Sequence, residues 1–205
     1  MVEHQLLRRG IRDERVLAAM LSIAREEFVA LEDRATAYRD DPIHIGHGQT
    51  ISQPYMTALM AQELRLTGSE TVLEVGTGSG YAAAVLGRLA ARVVTVEIVP
   101  ELCRLARENL SRTLTGGNVS VIAGDGSLGY APMAPYDAIS VAAGAPEIPA
   151  ALLEQLGDPG RLVIPVGEIQ DQELRVVEKR GGRIDYRVAV MCRFVPLRGG
   201  GGWES

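Results

Sequence analysis

Val72-Leu-Glu-Val-Gly-Thr-Gly-Ser-Gly80 joins an apolar run to a glycine turn and places a carboxylate, Glu74, inside the run. An apolar run that ends in glycines and leads into a helical stretch lets the backbone approach a ligand at the carboxyl edge of a parallel sheet. Two cofactor classes use that edge. A dinucleotide brings a pyrophosphate, which favours a helix N-terminus free of anions, whereas S-adenosylmethionine has no phosphate and carries a sulfonium and an ammonium. Glu74 suits the cation. The glycines agree: Gly76, Gly78 and Gly80 read G-x-G-x-G, and the dinucleotide fingerprint G-x-G-x-x-G would need glycine where Tyr81 stands.

Outward from this turn, apolar runs alternate with amphipathic stretches. Runs cover 71–75, 93–96, 119–122, 136–142 and 161–166, and helices start at Tyr81, Pro100 and Pro149. Such alternation gives right-handed βαβ units and a mainly parallel, doubly wound, Rossmann-like α/β sheet. Two last runs, Glu173 to Glu178 and Tyr186 to Val195, are joined by Lys-Arg-Gly-Gly-Arg, the composition of a hairpin turn, and predict an antiparallel C-terminal edge. Upstream, Ile11, Val16, Leu17, Met20, Leu21 and Phe28 recur at helical spacing, which predicts a helix or a pair of helices capping the sheet. A polar stretch, Glu32 to Asp41, precedes a glycine- and proline-rich segment, 42–54, expected to be an ordered loop or short strands. Tyr55 to Leu66 reads as a helix.

The chain of 205 residues, 46% hydrophobic and 23% charged, suits one soluble domain with a sizeable core. Within it, 1–66 holds the N-terminal helices and loop, 67–167 the cofactor core, and 168–205 the last strands and tail. A net charge of -5 without a block of Lys or Arg speaks against a nucleic-acid binder. Charges scattered through the N-terminus argue against a signal peptide or membrane span, so a cytosolic protein is expected, with monomer as the default state. Cys103 and Cys192 have no C-x-x-C spacing and are read as core thiols. The glycine-rich tail, Gly199 to Gly202, is expected to be a loose terminus.

Two more acids fall where a nucleoside needs them. Glu97 ends the run Val93-Val-Thr-Val about twenty residues past the glycine turn, the place of an acceptor for ribose hydroxyls. Asp125, in Ala-Gly-Asp-Gly126, ends the third run, where it is expected to accept from an adenine amino group. A lone acid after a strand is more often a turn former. Three acids at the ends of three successive strands, with the glycines at the first, make a constellation.

These residues resemble a family. The glycine motif with Glu74 and Glu97 is similar to the class I methyltransferases, and Ile45-Gly-His-Gly-Gln-Thr-Ile-Ser-Gln-Pro54 resembles the protein-L-isoaspartate O-methyltransferases specifically. The likeness continues through Gly124-Asp-Gly126, Ala134-Pro-Tyr-Asp-Ala-Ile139, Gly160-Arg-Leu-Val-Ile-Pro-Val-Gly167 and Arg193-Phe-Val-Pro-Leu197. It implies methyl transfer from S-adenosylmethionine to the free α-carboxylate of L-isoaspartyl residues in damaged proteins and peptides. The ester then closes to a succinimide that partly restores aspartate. By the resemblance, Glu74, Gly76, Thr77, Gly78, Gly80, Glu97, Asp125 and Gly126 hold the cofactor, and His47, Thr50, Ile51 and Ser52 meet the acceptor. Ser52 is expected to be the catalytic hydrogen-bond donor.

The same residues admit other readings. Ser52 before Gln53-Pro54 also fits an N-cap, and without the resemblance the cap is favoured. His44 and His47 spell H-x-x-H but lack a third ligand nearby, so no metal is expected and His47 is read as ordering its loop. No serine stands in a G-x-S-x-G elbow, which disfavours a serine hydrolase. A related methyltransferase acting on a dedicated peptide or small acid, or a non-catalytic binding protein that kept the fold, are the remaining alternatives.

Overall fold

The computed structural model describes residues 1–203. After two short helical turns, the chain forms α1 (Glu14–Ser22), started by Asp13, whose carboxylate accepts from the backbone N–H groups of Arg15 and Val16 at 2.9 and 3.2 Å. Extended backbone at Ile23 and Ala24 ends this helix, so Phe28 follows in a separate short turn rather than on the same helix. The segment expected as loop or short strands is a hairpin, β1 (Ile43–Gly46) and β2 (Gln49–Ile51), followed by α2 (Pro54–Leu64).

The remaining strands and α-helices are β3 (Thr71–Val75), α3 (Tyr81–Leu89), β4 (Arg92–Glu97), α4 (Pro100–Thr113), β5 (Val119–Ala123), β6 (Tyr136–Val141), α5 (Ala150–Gln155), β7 (Leu156–Glu168), β8 (Asp171–Arg180) and β9 (Arg183–Cys192). Strands β3 to β9 form one seven-stranded sheet in the order β5-β4-β3-β6-β7-β8-β9. The first five of these strands in sheet order are parallel, and β8 and β9 add the antiparallel edge. The doubly wound α/β reading is therefore the observed architecture.

Alternation along each strand divides the core between two faces. Val72, Val93, Ala138 and Val163 pack with residues of α1, α2 and α3, among them Met20, Ala58 and Val85. Their neighbours Leu73, Val94, Ile139 and Leu162 face the other way and pack with Leu152 and Leu156 around α5. Both faces of the central strands are covered, which is why those runs read as continuously apolar. Among the described residues, no helix is long and apolar enough to cross a membrane.

Two expectations need correction. Cys103 is buried, but Cys192 is only half-buried, because it ends the largely exposed edge strand β9. The tail is not loose through Trp203. Gly200 N–H donates to Asp125 Oδ2 at 2.8 Å, Gly201 N–H to Ser127 Oγ at 2.9 Å, and the Trp203 indole to the Gly144 carbonyl at 3.0 Å. Glycine composition here serves close approach: a Cβ on Gly199 would stand 2.0 Å from Asp125 Oδ1.

Candidate active site at the carboxyl edge of the sheet

Strand order reverses direction between β3 and β6, and a ligand crevice is expected outside the strand ends at such a switch point. An open cleft of about 770 Å³, solvent at its mouth included, lies there. One wall is the end of β3 with Gly76 to Ser79, the end of β4 with Glu97, and Gly126. The opposite wall is Gln49, Thr50, Ile51 and Ser52, closed at one side by Val195 to Arg198.

The glycine turn is held by strand-end hydrogen bonds. Gly76 N–H donates to the Val96 carbonyl at 2.9 Å, and its φ of +90° lies in the left-handed region that side chains resist. Gly78 N–H donates to Glu97 Oε2 at 2.8 Å, and Val99 N–H reaches Glu97 Oε1 at 2.9 Å. Glu97 thus ties the turn to β4 while lining the cleft, with lone pairs left for hydroxyl donors.

Glu74 sits differently. It is 1% exposed and lies beneath the turn, not among the lining residues. Its Oε2 accepts from Thr95 Oγ1 at 2.5 Å, Thr95 is hydrogen-bonded to Thr77 Oγ1 at 2.6 Å, and among the described residues Oε1 has no partner. Burial, with a smaller push from Glu97, raises its carboxyl to about 8, against the Thr95 hydrogen bond. Raised that far, the carboxyl is neutral at pH 7 on its own; a cation beside it favours its ionised form, whereas a phosphate disfavours it, so the site suits a cationic cofactor. The donor set therefore fits S-adenosylmethionine: Glu97 for hydroxyls, the Gly76 to Gly80 cradle for close backbone approach, and Glu74 for positive charge.

Asp125 is the acid the structure places least as expected. It stands at the end of β5, where Oδ1 accepts from Ser127 N–H and Oγ at 2.9 and 2.5 Å and Oδ2 accepts from the tail at Gly200. Gly126 lines the cleft, and a Cβ there would lie 2.7 Å from Val75 Cγ1. His47 is exposed at the hairpin tip with φ +54° and is not a lining residue; backbone conformation at Gly46, His47 and Gly48, not an imidazole contact, makes the turn.

Ser52 lines the cleft and does not cap α2. The N-cap position is Gln53, without a side-chain bond, and the Tyr55 N–H is taken by Asp40 Oδ1 at 3.0 Å. Among the described residues the Ser52 hydroxyl makes no hydrogen bond to protein, so it remains free for a ligand. Its backbone is fixed by Arg25, a fully buried guanidinium that donates to the Ser52 carbonyl at 2.8 Å and the Ala37 carbonyl at 2.7 Å. Arg25 also lies over the Tyr81 ring at 4.7 Å. Burial pulls its pKa down while Tyr81 opposes the shift, and a guanidinium stays charged regardless.

Arg25 and Asp40 are site-forming residues that motif reading passed over. One signal was available for Arg25: it lies three residues before Phe28 and two after Ile23, both of which are core residues. Asp40 carried none, since its partner is fifteen residues away.

Comparison with known proteins agrees with this geometry. The family model for protein-L-isoaspartate(D-aspartate) O-methyltransferase matches residues 1–202. The chain is 52% identical over 205 residues to the protein-L-isoaspartate O-methyltransferase of Methanoculleus marisnigri, covering 100% of this chain and 93% of that protein. It is also 52% identical over 204 residues to that of Koribacter versatilis, covering 100% and 91%. A solved Plasmodium falciparum structure bearing the family's name, in complex with S-adenosyl-L-homocysteine, superposes with a TM-score of 0.82 at 30% identity over 96% of each chain. Another structure so named gives a TM-score of 0.83 at 31% identity, over 96% of this chain, which spans 64% of that longer one. The chain belongs to the protein-L-isoaspartate(D-aspartate) O-methyltransferase family.

Proposed function

We propose that this protein transfers a methyl group from S-adenosylmethionine to the free α-carboxylate of L-isoaspartyl residues in damaged proteins and peptides. The observation that carries the reading is the free Ser52 hydroxyl, on a residue that lines the same cleft as the glycine turn and Glu97. One wall suits a phosphate-free cationic nucleoside, and the other offers a neutral donor to an anion.

The cofactor supplies an activated methyl on a sulfonium. The acceptor carboxylate, with a pKa near ~3.5, is already ionised at neutral pH, so no side chain need remove a proton. What the protein contributes is alignment and exclusion of water. Ser52 donates to the acceptor carboxylate, Thr50 and Ile51 shape its seat, and Arg25 holds the Ser52 backbone still. Thr77, Gly78, Gly80 and Gly126 bound the cofactor side, and Asp125 fastens the tail across the nucleoside end. The protein acts as a cytosolic monomer on this reading, with peptides and unfolded protein segments as partners, and neither nucleic acid nor membrane.

The test uses two peptides identical except for L-isoaspartate or L-aspartate at one position, with methyl-labelled S-adenosylmethionine. Base-labile methyl ester in the isoaspartyl peptide alone is the expected result. Equal labelling of both, or label in neither with cofactor bound by calorimetry, would overturn the substrate assignment.

A further inference from the structure

We propose that Arg198 is a specificity residue that pairs with a carboxylate of an aspartyl or glutamyl residue flanking the isoaspartyl site, so that acidic sequence contexts bind better. The inference rests on the acceptor wall lying at Gln49 to Ser52, as set out above.

Among the described residues, only two charged ones line the cleft, Glu97 and Arg198. Glu97 is engaged with the Gly78 and Val99 backbone on the cofactor side. Arg198 stands on the other side, where its Nη2 lies 3.6 Å from the place a Cβ on Gly48 would occupy. The side chain therefore bridges from the C-terminal segment to the tip of the β1–β2 hairpin. Among the described residues no carboxylate lies within ion-pair distance of it, whereas Arg9, Arg34, Arg175 and Arg187 each have one.

Its backbone is pinned on both sides. Leu197 N–H donates to the Gly144 carbonyl at 2.8 Å, and Gly200 and Gly201 are tied to Asp125 and Ser127 at 2.8 and 2.9 Å. A cation rooted in fixed backbone with its fork free loses less entropy on pairing than one on a mobile tail. The guanidinium geometry matches a carboxylate bidentately.

Exposure decides which carboxylate is meant. Arg198 is exposed while Ser52 is half-buried, so the guanidinium sits at the rim. The acceptor carboxylate seated at Ser52 lies inside; the peptide on either side of it runs out over the rim. Rim ion pairs change affinity by about two- to five-fold and weaken with salt.

The experiment compares isoaspartyl peptides carrying Glu or Gln at each of the two positions on either side of the site. Each is assayed at low salt and at ~0.3 M salt, where screening reaches only a few ångströms. At the reading position, Glu should lower KM about two- to five-fold at unchanged kcat, and salt should shrink the difference. The preference should vanish in Arg198→Gln and persist in part in Arg198→Lys, with thermal unfolding and calorimetric cofactor affinity of both variants near those of the parent. Equal KM values for Glu and Gln peptides at every position, or a preference that survives in Arg198→Gln, would overturn the proposal. So would an equal loss of kcat on both peptides in Arg198→Gln, which would place the guanidinium on the acceptor carboxylate. Absence of methyl ester on every isoaspartyl peptide would instead count against the repair activity itself.

Discussion

The wall proposed for the cofactor is drawn from one stretch of chain, residues 75–126, whereas the wall proposed for the acceptor combines 49–57 with residues from 195 onward and rests on Arg25 and Asp40. On the first wall, each functional group stands at a strand end or in the turn that follows, so local geometry alone aims it. On the second, every important group is placed by a contact remote in sequence: Ser52 by Arg25, α2 by Asp40, and the tail by Asp125. The difference implies that cofactor affinity and acceptor alignment can be damaged separately.

The largest effect should come from the cofactor wall. Gly76→Val forces a β-branched side chain into φ +90° and places its Cβ 3.6 Å from that of Ala142. Strain of ~2–3 kcal/mol at the turn should weaken S-adenosylmethionine binding by roughly 100-fold in calorimetry. Retained affinity would mean that the turn is not the cradle.

On the acceptor wall, Ser52→Ala should lower kcat by roughly ten-fold or more, the worth of one hydrogen bond to a charged group. Cofactor affinity by calorimetry should stay within about two-fold, since the hydroxyl has no partner among the described residues and belongs to the hairpin side of the cleft, remote in sequence from the turn. A parallel fall in both quantities would break the division between walls.

The third test sharpens the role of Glu74 beneath the turn, and its effect on turnover should be the smallest. Its carboxyl is raised from 4.5 to about 8, so the folded protein holds that proton more tightly than the unfolded chain. The stability contributed by the protonated group is fully present below the unfolded value and is lost as pH rises through about 8. Relative to Glu74→Gln, the parent should lose stability across this window with a slope approaching one proton, ~1.4 kcal/mol per pH unit at most. Denaturant unfolding at several pH values without cofactor measures it, and parallel curves would show that Glu74 is ionised throughout.

The reading of Val72 to Gly80 succeeded because strand, turn and helix onset lie within nine residues, and the apolar runs succeeded because both sheet faces are covered. Reading the acids by position was less complete. Glu74, Glu97 and Asp125 all stand at strand ends, yet one is buried under the turn, one lines the cleft and one anchors the tail. Position along a strand determines where a carboxylate begins, and packing determines what it meets. The glycine tail departs from the expected loose end because flexible composition is not the same as a free end: Gly199 and Gly201 let the backbone lie against Asp125 and Ser127, and Gly202 against the Leu197 carbonyl, without side-chain clash.

The amino-acid pattern by itself determined the α/β class, the glycine turn and its preference for a cation, because these follow from periodicity, backbone permissiveness and charge within short windows. Only the tertiary structure decided that Ser52 is free. A serine before Gln-Pro at a helix start is a capping residue by every local criterion. Asp40, brought in from fifteen residues upstream, takes the helix N–H instead, while Arg25 secures the Ser52 carbonyl. Local propensity ranks the partners a side chain can find nearby, and the fold supplied better ones, which leaves the hydroxyl to the cleft.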